Sequence, residues 1–104
     1  MQERSVVPTT LIDTVRNEYM DVSRIMQSFK TRRAYHDAEQ WRSRLDVLKM
    51  FTLLEQNFMV LMREASVCRQ RKKITTAFWN EYNRFNSSRE VLLGNITMYK
   101  LMYA

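Results

Sequence analysis

The sequence predicts an all-α protein: an antiparallel bundle of three helices, or of four if the last is kinked near Ser87, with the heptad packing of a coiled coil. Three observations lead there. The chain holds one glycine and one proline in 104 residues, whereas sheets, barrels and α/β folds place such residues at many turns. Apolar side chains recur three and four residues apart in three long runs, as they do on one face of a helix. The breaks between the runs are short, so consecutive helices must run antiparallel.

Met1–Pro8 shows no period and reads as a flexible lead, leaving residues 9–104 as a single bundle domain. Thr9 and Thr10 offer a hydroxyl cap for a helix start. Ile12, Val15, Tyr19, Val22, Met26 and Phe29 then form the first stripe, and the pairs Asp13–Arg16 and Asp21–Arg24 support its polar side. Helix 1 is expected over Thr10–Thr31. Continued in phase, the stripe lands on Arg33 and His36, so a turn is expected near Arg32–Tyr35.

The second stripe is Val47, Phe51, Leu54, Phe58, Leu61, Ala65 and Cys68, with Leu53, Val60 and Val67 forming another apolar line on a different side. A helix apolar on two sides needs two neighbours. Helix 2, about His36–Gln70, is therefore the central element. Arg71–Thr75 breaks the pattern, and Thr75 or Thr76 can cap the third helix. Phe78, Tyr82, Phe85, Arg89, Leu92, Ile96, Tyr99 and Tyr103 keep one heptad phase, which favours a single helix over Thr76–Met102 despite the capping box Ser87-x-x-Glu90. Gly94 inside it invites a close helix approach. The methionines beside the stripes read as core filling, and Trp79 and Tyr82 as core rather than as base-stacking platforms.

Composition excludes most chemistry. With Gly94 the only glycine, no phosphate loop or dinucleotide fingerprint is possible. His36 and Cys68 are the only residues of their kinds. Cys68 falls on the apolar stripe of helix 2 and reads as packing. His36 and Glu39 have the spacing used by carboxylate metal bundles, but the stripes supply none of the further inward carboxylates such sites need. No enzyme activity, catalytic residue, metal or cofactor is expected. One cysteine and no apolar leader suggest a reducing compartment, cytoplasmic or nuclear. The apolar end Val91–Ala104 is too short to span a bilayer.

The net charge of +6 is unevenly placed. Arg24, Lys30, Arg32 and Arg33 lie in one acid-free window, and Arg69, Arg71, Lys72 and Lys73 in another. These eight of the seventeen basic residues leave nine against eleven acids elsewhere, so the whole excess sits in the two windows. Helix termini account for one or two such charges at each place, not for four among the five residues 69–73. The windows fall at opposite ends of helix 2, which predicts a basic patch at each pole.

The expected function is a non-enzymatic helical module for protein–protein interaction, self-associating as a homodimer or docking on a larger partner. Val47, Phe51, Leu54, Phe58, Leu61, Tyr99 and Met102 are the expected helix–helix interface. The alternative is contact with a double-stranded RNA or DNA backbone through the two basic windows. Attachment to a membrane ranks last, because regular heptads suit helix packing better than lipid.

Overall fold

A computed structural model of the chain describes residues 7–31 and 38–103, with the backbone alone at 28–31. It contains α1 (Thr9–Thr31), α2 (Ala38–Arg71) and α3 (Thr76–Tyr103), and among the described residues no strand. The expected turn near Arg32–Tyr35 and the side chains of Phe29 and His36 lie outside the described residues. The bundle is a rod of 60 × 19 × 18 Å, a shape that follows from a central helix of 34 residues, or roughly 50 Å at 1.5 Å per residue.

Each end has a local cause. The first helical bonds of α1 run from the Leu11 and Ile12 amides to the Pro8 carbonyl, and Val7 is buried, so the packed unit reaches back to Val7. The α2–α3 turn has no glycine. Lys72 takes the left-handed conformation itself, at φ 57°, and the Lys73 amide donates to the Cys68 carbonyl over 3.1 Å, the six-to-one bond of a Schellman ending. Thr75 caps α3, its hydroxyl accepting from the Phe78 amide at 3.0 Å. The buried Cys68 ties the two ends together, since its Sγ accepts from the Thr75 amide at 3.4 Å.

α3 is continuous through Ser87, so the bundle has three helices. It pairs with α2 along most of its length, and the antiparallel direction is fixed by Asn57 beside Ser88 and Gln40 beside Tyr99. α1 lies in one groove of that pair. Its Tyr19 ring stacks on Phe58 at 4.2 Å and 4°, and Phe58 meets Phe85 at 6.0 Å, so an aromatic column joins all three helices. The core around it holds Val15, Val22, Met26, Leu54, Leu61, Phe78 and Leu92, each almost wholly buried.

Polar side chains interrupt the stripes at defined levels. Asn57, rather than Phe58, is a buried member of α2. Its amide donates to the Ser88 hydroxyl, and Gln40 donates to the Tyr99 hydroxyl over 3.2 Å. At the same level as Asn57, the Tyr19 hydroxyl reaches Glu55 at 3.4 Å, and Arg89 faces Glu18 at 3.9 Å. The Asn57–Ser88 and Gln40–Tyr99 pairs align helices because a one-turn slip would leave the buried amides without these partners.

Three expectations are corrected. Gly94 is exposed with nothing within 4 Å of an added Cβ, so it permits no close helix approach. The methionines divide: Met26 is core, whereas Met59, Met98 and Met102 are more than half exposed. Trp79 is likewise on the surface, edge-on to Phe78 and Tyr82.

Candidate interaction surface

Two long antiparallel helices make two grooves, one on each side of their contact line. α1 fills one. On the other side, α2 carries the line Leu53, Val60 and Val67, one residue before Leu54, Leu61 and Cys68 and hence about 100° round the helix from the core stripe. α3 carries Val91 and Met98 seven apart, with Met102 one turn on. The two lines meet at Leu53 and Val91, and from there a groove runs to Met102, away from Val60 and Val67. One hollow is lined by Met50, Leu53, Ser87, Ser88 and Val91. The next, which shares Met50, runs past Asp46, Asn95 and Met98 to Met102 and Tyr103. The lining of both comes from α2 and α3 alone.

The groove is apolar where it should be wet. Leu53, Val91, Met98 and Met102 are 51%, 54%, 56% and 58% exposed. At about 100 Å² each they present roughly 400 Å² of apolar surface, within the range where the largest patch on a monomer tends to be functional.

The residues expected at an oligomer interface are mostly used within the chain. Val47, Phe51, Leu54 and Leu61 are buried, and Phe58 is half-buried against Tyr19. Tyr99 is half-buried beside Gln40 and Tyr103. Of the seven, Met102 alone is exposed. The open surface belongs instead to Leu53 on α2 and to Val91, Met98 and Met102 on α3. The second apolar side of helix 2 was the sequence signal for it, but only the packing of α1 decides which side stays open.

The basic windows fare differently. Arg69, Arg71, Lys72 and Lys73 are all exposed at the α2–α3 turn, where the tight ending of α2 gathers them at one end of the rod. Arg24 is exposed but held by Asp21 at 2.6 Å, which neutralises it locally. Lys30 lies where the backbone alone is described, and Arg32 and Arg33 lie outside the described residues, so one basic pole of the expected two is observed.

Among the described residues, no group of His, Cys, Asp and Glu is placed to hold a metal ion, and no helix is long and apolar enough to cross a membrane. Cys68 is wholly buried and bonded to Thr75. Burial pushes the Tyr19 phenol above its ordinary value and Glu55 adds to that, while a hydrogen bond with Ser23 pulls the other way. The chain matches no family model, and comparison with curated proteins and with solved structures finds no match to either.

Proposed function

We propose that this protein is a non-enzymatic protein–protein interaction module whose working surface is the open α2–α3 groove. The observation that carries this reading is the row Leu53, Val91, Met98 and Met102, each more than half exposed along a groove lined by two helices. Facing such a row to water is unfavourable, and contiguous apolar surface of this size marks contact sites. The opposite groove of the same hairpin already takes a helix, α1. A reducing compartment, cytoplasm or nucleus, suits a chain whose one cysteine is a packed thiol.

The test is Leu53→Gln with Val91→Gln. Both side chains are exposed, so far-ultraviolet circular dichroism and the thermal midpoint should stay close to those of the unchanged protein. Association should fall, read by light scattering for self-association and by selection from a displayed library of amphipathic helices for a foreign partner. A folded protein that neither self-associates at micromolar concentration nor selects any helix overturns the reading.

The exposed cluster Arg69, Arg71, Lys72 and Lys73 supports a second reading, binding to a nucleic-acid backbone. It predicts RNA-duplex affinity that falls linearly with salt on logarithmic axes and vanishes when Arg71, Lys72 and Lys73 become glutamate. Absence of duplex binding at low salt refutes it.

A further inference from the structure

The open groove is lined by sulfur. Three of the chain's eight methionines, Met50, Met98 and Met102, border the same hollow between α2 and α3. Met98 and Met102 stand four residues apart, hence on one face of α3, and both are more than half exposed. Together with Leu53 and Val91 they form the exposed apolar row. At about 100 Å² each, these two thioether side chains supply roughly half of the open apolar area of that row.

The other described sulfur atoms are placed differently. Met26 is wholly buried, and Met50 and Met62 are half-buried against the core. Cys68, the only cysteine, is wholly buried and bonded to Thr75, so no exposed thiol competes for an oxidant. Met20 and Met59 are exposed, but Met20 has Arg16 and Arg24 four residues to either side and Met59 has Glu55 and Arg63, so neither belongs to an apolar row. Oxidation of methionine follows access to the sulfur, and a sulfoxide disrupts packing where the side chain is core. Here the exposed sulfurs lie outside the core and the core sulfur is shielded.

Resting on the interaction-module reading, we infer that Met98 and Met102 are a reversible oxidation site for hydrogen peroxide that sets the polarity of the groove. The sulfur lone pair attacks one peroxide oxygen, and the S–O bond forms as the O–O bond breaks. The departing hydroxide takes the proton of the transferred oxygen and leaves as water. The thioether is oxidised to a sulfoxide and the peroxide is reduced. A methionine sulfoxide reductase, drawing on two thiols, restores the thioether and releases water and a disulfide. Each sulfoxide places a strong dipole where an apolar side chain stood, so two of the four exposed residues of the row become polar. The groove loses its apolar character while the helices stay packed.

The test treats the whole chain with dilute hydrogen peroxide and follows each methionine by peptide mass mapping. Met98 and Met102 should gain oxygen at least about tenfold faster than Met26, with the far-ultraviolet circular dichroism unchanged. Retention on a hydrophobic-interaction column, which reads exposed apolar surface, should fall, and methionine sulfoxide reductase with dithiothreitol should restore it. Met98→Leu with Met102→Leu keeps the groove apolar at similar volume and should remove most of that fall. Met20→Leu with Met59→Leu should remove the smaller part. Equal oxidation rates at Met98, Met102 and Met26, loss of the helical signal, retention that the reductase does not restore, or a fall that survives Met98→Leu with Met102→Leu overturns the oxidation site and leaves the groove reading standing. If Leu53→Gln with Val91→Gln leaves the retention of the unoxidised chain unchanged, the groove is not its apolar surface and both readings fall.

Discussion

Replacing Ser88 by alanine isolates the polar contact at the middle of the rod. Asn57 is 7% exposed on the core side of α2, and its amide donates to the Ser88 hydroxyl across the α2–α3 contact. Removing that hydroxyl leaves a buried donor without this partner, a loss worth about 1–3 kcal/mol. Ser88 also lines the open groove, so water can reach the vacated position, which sets the expected cost near the lower end, about 1 kcal/mol. Asn57→Leu combined with Ser88→Ala removes both partners and should recover most of that loss, because a pair replaced by apolar groups of similar shape is nearly neutral. The cycle therefore has a favourable coupling of about 1 kcal/mol. Urea unfolding followed by far-ultraviolet circular dichroism gives each corner, and 1 kcal/mol corresponds to about 4–8 °C in the thermal midpoint of a domain this small. If Ser88→Ala matches the unchanged protein, or the double variant loses the sum of its single losses, the bond does not account for asparagine in the core.

Two further outcomes concern single positions. Gly94 is helical and exposed with open space around an added Cβ, so Gly94→Ala should raise stability by up to about 1 kcal/mol, and an unchanged or lower thermal midpoint would contradict uninterrupted helix there. Tyr19 keeps its proton to higher pH in the folded chain than its ordinary value of 10.0. The unfolded chain therefore ionises first, and the stability linked to Tyr19 is intact below about pH 10 and is lost as pH rises through the folded value. Tyr19→Phe should flatten the alkaline fall in urea midpoint relative to the unchanged protein, and parallel curves would exclude the effect.

Much of the fold is legible in the residues because helical packing is a local code. Ile12, Val15, Val22 and Met26 in α1, Leu54 and Leu61 in α2, and Phe78, Phe85, Leu92 and Ile96 in α3 are buried where three-and-four spacing puts them. The stripe through Arg89 predicts one unbroken third helix, and α3 is unbroken. Less legible are features that depend on what lies opposite. Asn57 is polar by type, and only Ser88 across the groove explains its burial. Lys72 gives no sign of a left-handed conformation, because the Schellman bond from Lys73 to Cys68 imposes it from outside the residue. Gly94 has the look of a contact point, yet open space surrounds it.

The residues alone determine three amphipathic rods, their order, their approximate ends and a strongly basic turn after the second, since each depends on side chains within a turn or two of one another. They also determine that the central rod is greasy on more than one side. Tertiary structure decides which of those sides is covered. Tyr19 stacks against Phe51 and Phe58 and so commits α1 to one groove. The side of Leu53 and Val91 stays open because one helix can occupy only one of the two grooves that a helical hairpin offers.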